Sequence, residues 1–399
     1  MIEAKFSIVT PLFMGGADPK VPELRVPGIK GAIRFWWRAL AWSWYRGDLG
    51  RIRDLEGQIF GSTKDGQSRV IMDLSGVDAK LEKENIFEKL KDQEERCQGL
   101  MYLGYGPIDK GKLTRNYLKQ PVDATLRIRI RPKGNDKKDP EAPDGSEITD
   151  QISKALIAMG YFGGLGSRSR RGFGSFNLTE LNVDGRNEFV CPENKDQLGE
   201  EIEKFLKGLN RYNGLPEYTA FSPKTEIYIF KNMNTDSLAL LGDVGWTMRV
   251  YRLGSGNKHS RKFREDTILA KRSLKSKVDE HPRRLFFGLP HNYHFKDLKK
   301  NLEIIGENHD RRASPLLIHV QKLGTEYAAV AALMPARFLP PGEKILMRPG
   351  EEKNESEDTR IPGMGHPKSP PTSRVELDEN EAEELTVIRD FLESWKRVI

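Results

Sequence analysis

PLFMGGADPKVPELRVPGIKGAIRFWWRALAWSWY, residues 11–45, opens on a Gly-Gly turn and runs into a helix carrying four tryptophans and three cations. Pro27 suits the first helical turn, where a missing N–H is harmless, and Gly47 stops the helix just past Tyr45. At about 100° per residue, Ile29, Ile33, Trp36, Leu40 and Trp44 share one arc of about 80°. Lys30, Arg34 and Arg38, each four apart, fill a second arc beside it. Trp37 falls between the two, and Tyr45 sits among the cations. Phe35 and Trp42 lie on a third face, which leaves apolar surface for another domain or subunit.

The Ile29–Trp44 arc is expected to be core. A ring beside a row of cations on a rigid element suits nucleic acid, because cations meet phosphates and rings stack on bases. Lys30 stands in the first turn, where the helix dipole disfavours positive charge. A phosphate at that end would meet both the lysine and the unpaired N–H groups. Lys30, Arg34, Trp37 and Arg38 are therefore candidate nucleic-acid contacts, and Arg25 just ahead of the helix is added to them.

Around this helix the pattern gives a strand at 2–9, a helix at 51–60, a strand at 69–74 and a strand at 122–130. Residues 78–97 are expected to be helical, and 100–108 a buried loop or short strand. A loop at 132–147 leads to a helix at 148–161 and a strand at 173–181. The order strand, helix, strand, strand, helix, strand is that of a ferredoxin-like split β-α-β unit, closing near residue 185. A second α+β module is expected over 186–399. Its elements are helices at 195–209 and 238–251, strands at 224–230, 285–289, 316–321 and 327–333, a polar loop at 347–380, and a helix at 381–398.

Between the helix at 148–161 and its following strand lies GGLGSRSRRGFG, residues 163–174, with five of its twelve residues glycine and three arginine. It lacks the GK[ST] ending of a P-loop, and it leads from helix to strand rather than the reverse. Backbone binding to a polynucleotide through Arg168, Arg170 and Arg171 is favoured over a plain mobile linker. A basic run at 258–284, including Arg261, Lys262, Arg283 and Arg284, offers a weaker second contact.

The 399 residues hold 65 basic and 58 acidic side chains, a net charge of +7 that permits a polyanionic partner without requiring one. Cys97 and Cys191, far apart, make neither a disulfide framework nor a zinc site, which points to a reducing cytoplasm. The N-terminus lacks a signal-peptide layout, and no apolar run reaches membrane-spanning length. All seven histidines lie from His259 onward. His291 and His294 have a spacing that could hold a metal on a helix, but no cysteine or acid except Asp297 stands near, so no metal or cofactor is expected. No nucleophile motif is present.

VTPLFMGGAD, RVPGIKGAIRFWWRAL, LMYLGYGP, GGLGSRSRRGFGSF and ASPLLIHV together resemble the RAMP superfamily of CRISPR systems. Within it they resemble the first-subunit family of the type III-B (Cmr) effector complex. The resemblance implies two ferredoxin-like modules, 1–185 and 186–399, in a non-catalytic subunit for antiviral defence. It implies contact with the 3′ region of guide CRISPR RNA, with target RNA and with other RAMP subunits, and no membrane. Relatives that process guide RNA commonly use a histidine in the first module, where this chain has none. Two rivals differ in class: a metal-independent endoribonuclease using Tyr45, Lys30 or a C-terminal histidine, and a scaffold that presents Phe35 and Trp42 to a protein.

Overall fold

The computed structural model describes residues 1–18, 21–82, 86–109, 111–132, 143–255, 258–259, 261–350, 372–377 and 385–399. Its helices are α1 (Val26–Trp44), α2 (Leu49–Phe60), α3 (Glu94–Leu103), α4 (Gly145–Phe162), α5 (Lys195–Lys207), α6 (Ser237–Leu253), α7 (Arg264–Ser273) and α8 (Thr386–Leu392). Its longer strands begin with β1 (Ile2–Ile8), β2 (Val70–Glu82), β3 (Tyr117–Ile130), β4 (Phe176–Val183) and β5 (Glu226–Asn234). They continue with β6 (His291–Phe295), β7 (Lys300–Gly306), β8 (Leu316–Leu323), β9 (Glu326–Leu333), β10 (Ile345–Pro349) and β11 (Ser373–Val375). The last is the short β12 (Lys396–Arg397). No described helix is long and apolar enough to cross a membrane.

The chain forms two compact units. The first is Met1–Met248 with Leu316–Ala336 and Glu393–Ile399, and the second is Arg249–Pro315 with Arg337–Leu392. The division expected at 185 falls inside the first unit, in a turn at the edge of its first sheet.

The first sheet has the order β2-β3-β1-β4, extended past β4 by the two-residue strand Arg186–Asn187. All its pairings are antiparallel. Ile2, Ala4, Phe6 and Ile8 of β1 point into the core, while outward Lys5 meets Glu180 at 2.7 Å and Glu3 meets Arg127 at 2.8 Å. Two long helices cover the apolar face. Pro27 sits in the first turn of α1, and Asp144 caps α4 by accepting from the Glu147 N–H at 2.8 Å. Trp36 packs beside Phe162 of α4, and the Trp37 indole N–H donates to the Gln151 side chain at 2.8 Å. The second sheet has the order β8-β9-β5-β12, again antiparallel throughout.

A buried polar seam joins the two sheets. Ser175 beside β4 and Asn177 on it reach the edge of β8: the Val320 N–H donates to Ser175 at 3.0 Å, and the Asn177 amide donates to the Val320 carbonyl at 2.8 Å. Thr10 and Ser175 both donate to the Gly172 carbonyl, at 2.7 and 2.9 Å. His319 of β8 is wholly buried, with one ring nitrogen 2.7 Å from the Gly163 carbonyl and the other 3.2 Å from Gln321. In the second unit, β6-β7-β10-β11 form an antiparallel sheet of their own.

Several expected elements change. Residues 78–82 extend β2 instead of starting a helix, pairing as far as Glu82 with Tyr117. That end is solvent-exposed on both faces, so no apolar period marks it. Residues 100–103 close α3. Leu285–Phe287 form part of a 3-10 turn, buried all round, where a short apolar run does not separate strand from turn. His291 and His294 lie on a strand, where residues three apart face opposite ways, so they cannot share a metal. Ser373–Val375 is a strand inside the expected loop. The C-terminal helix ends at Leu392, and Lys396–Arg397 pair instead with Ile229 and Tyr228 of β5. Residues 351–371 and most of the loop expected at 132–147 lie outside the described residues.

Burial holds the His319 ring down to a pKa of about 4, with its two hydrogen bonds pulling weakly the other way. The unfolded chain takes up that proton near pH 6.5. The stability gained by keeping the ring neutral is therefore whole above pH 6.5 and is lost as pH falls toward 4. Urea unfolding at pH 7 and pH 5 should show a loss on the order of 2 kcal/mol that His319→Gln lacks. Equal losses in both proteins would remove His319 from the account.

Candidate nucleic-acid interface

The glycine-rich segment 163–174 is a tightly fastened loop. The Leu165 N–H donates to the Gly174 carbonyl at 2.8 Å, and the Ser167 N–H to the Phe13 carbonyl at 2.8 Å. The Gly174 N–H donates to Pro11 at 3.0 Å, and the Ile318 N–H of β8 to the Arg170 carbonyl at 3.0 Å. Gly166 and Gly174 have φ of +76° and +61°. A Cβ on Gly174 would lie 2.1 Å from the Leu165 carbonyl oxygen, and one on Gly166 2.5 Å from that of Phe13. These glycines let the loop pack on its own protein. The segment is neither a mobile linker nor a bare cradle for a ligand.

This packing aims the three arginines differently. Arg168, at φ +62°, is exposed, with its guanidinium 5.9 Å from the centre of the Tyr105 ring. Arg170 is half-buried, 5.0 Å from the Phe35 ring centre and 3.3 Å from the Thr219 hydroxyl. Arg171 is half-buried, with one guanidinium nitrogen 3.3 Å from the Met248 sulfur. The loop and α1 meet at a cleft of about 260 Å³. Gly28, Ala32, Phe35 and Trp36 line one side of it, and Gly163–Gly166, Ser169 and Arg170 the other.

The helix cations do not face this cleft. At about 100° per residue, Lys30, Arg34 and Arg38 lie about a third of a turn from Gly28, Ala32 and Phe35. They look toward α2, where Arg34 and Arg38 both bind the Glu56 carboxylate, Arg38 at 2.6 Å. Glu56 is itself buried, so it takes part of the charge that the sequence pattern offers to phosphate. Burial, and then the Arg34 charge, hold the Lys30 ammonium below its ordinary range.

Three expected contacts are corrected by burial. Trp37 is 0% exposed and belongs to the core, so it offers no ring to a base. Trp42 is buried between Tyr212 and Tyr218, while Phe35 is half-buried beneath Arg170 at the cleft, so only the Trp42 part of the third helix face is covered from within the same unit. Arg284 is also interior, its backbone N–H bonded to Asp266 at 2.8 Å and its guanidinium 4.9 Å from the Tyr293 ring centre. Of the other candidates, Arg25 and Arg283 are exposed. Lys262 pairs with Asp390 at 3.0 Å and covers the Tyr251 ring at 4.8 Å. The Arg261 side chain lies outside the described residues.

The interface gains two residues that the sequence did not mark. Tyr105, in a turn after α3, is 68% exposed, and Arg115 reaches Ser167 of the glycine-rich loop at 3.4 Å. Only spatial proximity across about 50–60 residues links them to that loop, and no local spacing announces it. Among the described residues there is no His/Cys/Asp/Glu group suited to a metal.

Comparison with known proteins bears on what this surface serves. A family model described as the RAMP superfamily matches residues 5–177, taking in α1 and the whole glycine-rich loop. The CRISPR system Cmr subunit Cmr1-2 of Pyrococcus furiosus is 31% identical over 189 residues, 45% of this chain and 97% of that protein. The chain belongs to the Cmr1 family of RAMP proteins. The crystal structure of apo Cmr1 from Pyrococcus furiosus covers 85% of this chain and 90% of its own at 22% identity, with a TM-score of 0.52. A chain from the cryo-EM structure of type III-B Cmr-beta, bound to cognate target RNA and AMPPnP in the presence of ssDNA, also matches. It has a TM-score of 0.50 at 15% identity and covers 84% and 94%. At these identities the two structures speak for the fold, a mixed α+β architecture of antiparallel sheets that this Cmr1-family chain shares.

Glycine substitutions should separate loop packing from helix propensity. Gly174→Ala should lower stability by more than about 1 kcal/mol, because its Cβ meets backbone. Gly31→Ala, with nothing within 4 Å of the added carbon, should be neutral or stabilising by up to about 1 kcal/mol. Urea midpoints of the two variants measure both effects.

Proposed function

We propose that the chain is a non-catalytic, RNA-binding subunit of a type III-B Cmr complex, engaging the 3′ region of guide CRISPR RNA and target RNA beside other RAMP subunits. Family membership supports the complex, and the RNA-bound assembly that contains a chain of the same fold supports the ligand. The observation that carries RNA contact to this surface is Arg168, exposed on a loop locked at both ends. Arg170 and Arg171 follow it on the same loop. Arg25, Lys30, Arg34, Arg38, Lys262 and Arg283 are secondary contacts, with Arg34 and Arg38 sharing their charge with Glu56. The site is cytoplasmic and uses no cofactor.

Two ferredoxin-like modules meeting near residue 185 frame the binding surface. Both sheets of the first unit support this division, since each sets its strands in the spatial order second, third, first, fourth of their appearance in the chain. A role without catalysis is supported by the groups a nuclease would have used there. His319, the one histidine of the first unit, is buried with both ring nitrogens engaged. Burial raises the Tyr45 hydroxyl above its ordinary range, and Gln151 donates to it at 2.8 Å.

Binding of single-stranded RNA across a salt series tests the role. Arg115→Gln with Arg168→Gln should weaken binding and reduce the salt slope by about 1.4, two single-strand phosphate contacts' worth. An unchanged slope would move the interface elsewhere. Labelled repeat RNA incubated with the pure protein in EDTA should stay intact, and specific cleavage would overturn the non-catalytic assignment.

A further inference from the structure

Tyr105 is the most exposed of the large apolar side chains among the described residues, at 68%. Its turn is nonetheless well fastened. The Gly106 N–H donates to the Ile108 carbonyl at 3.2 Å, and the Ile108 N–H to the Gly104 carbonyl at 2.9 Å. Thr114 closes the turn from the far side, its hydroxyl donating to the Gly106 carbonyl at 2.7 Å and its N–H to Pro107 at 2.9 Å. The ring is therefore held out in solvent by a rigid backbone.

Arg168 reaches this ring from a second fastened loop. Its guanidinium lies 5.9 Å from the ring centre, and a Cβ on Gly106 would stand 3.4 Å from one of its nitrogens. Gly106 has φ +106°, a conformation that also disfavours any side chain there. An exposed cation–ring pair stabilises a fold by only about 0.5–1 kcal/mol, little for a ring kept so open. Arg115, which reaches Ser167 next to Arg168, and Lys112, opposite Asp109 in the neighbouring hairpin, are both exposed. A largely exposed ring with a planar cation over it, and exposed cations on the neighbouring segments, are the parts of a single-strand nucleotide site. The ring stacks a base, and the cations take the flanking phosphates.

Resting on the RNA-binding role above, we propose that Tyr105 and Arg168 form a stacking site for one unpaired base of single-stranded RNA, with Arg115 on the adjoining phosphate. Guide and target strands offer the same chemistry. What the site requires is that the base be unpaired.

The test uses the full chain and RNA oligonucleotides carrying 2-aminopurine, whose emission drops when it stacks. Single strands with the probe at successive positions should show quenching at one position or a short run. The same strand annealed to its complement should show none on adding protein. Tyr105→Ala should abolish the quenching and weaken binding roughly fivefold to a hundredfold, whereas Tyr105→Phe should keep both. Tyr105 is 68% exposed, so the variants should fold, and matching circular dichroism and urea midpoints would verify it. If the unaltered protein binds RNA but Tyr105→Ala binds as tightly with the same quenching, or duplex quenches as well as single strand, the stacking site is overturned while RNA binding stands. If the unaltered protein binds no RNA, both fall.

Discussion

The buried seam of Thr10, Ser175, Asn177 and β8 fixes the rest of the first unit. A strand at the edge of a sheet presents unpaired backbone groups, and burying them unsatisfied would cost about 1–3 kcal/mol each. In this chain β8 is that edge, and side chains from the neighbouring sheet supply the missing partners: Ser175 to the Val320 N–H, and Asn177 to the Val320 carbonyl and the Lys322 N–H. The polar residues are therefore structural, and they determine where the glycine-rich loop must pass. Gly163 at one end meets His319, while Arg170, Arg171 and Gly172 at the other meet Ile318, Thr10 and Ser175. A loop anchored at both ends to the same strand presents its middle, Arg168, in a fixed position.

What could be read in the sequence follows from how each element is buried. β1, β3 and the N-terminal parts of α1 and α4 expose one face, and the resulting period in apolar residues marks them, while Ala39–Ser43 and Ala158–Phe162 are buried all round. β8 and β9 bury nearly every residue and read as short apolar runs. The outer end of β2 is exposed on both faces and left no period at all. The second unit was harder still, because its sheet is assembled from two excursions, one between α6 and β8 and one between β9 and β12. Strands that pair across β8 and β9 in the sequence cannot be matched by local pattern.

The site was partly legible for the same kind of reason. The glycine-rich loop stood out by composition, and its arginines were marked. Face geometry on α1 separated core from cations but could not name what covers each face. Trp37 was placed beside the cations, yet its partner is Gln151, 114 residues away. Arg34 and Arg38 were assigned to phosphate, yet a carboxylate on the next helix reaches both. Tyr105 had the opposite fault: it sat in an apolar stretch, LMYLGYGPI, that read as interior, although its ring is turned outward.

Net charge tells little about this surface, because the cations divide into two populations. One is consumed inside the protein: Arg34 and Arg38 on Glu56, Arg284 over the Tyr293 ring beside Asp266, and Arg96 on Asp243 at 2.7 Å. A partly buried guanidinium with a carboxylate partner can accept a phosphate only by sharing its donors, so these residues bind weakly at best. The other population, with Arg168 and Arg115 as its clearest members, is exposed on the loops, although burial around Arg168 still disfavours its charge. Binding through such residues orders little that is not already ordered, which is the condition under which a few phosphate contacts and one stacked base suffice. In this unit the helix frames the surface, and the exposed cations stand on the loops beside it.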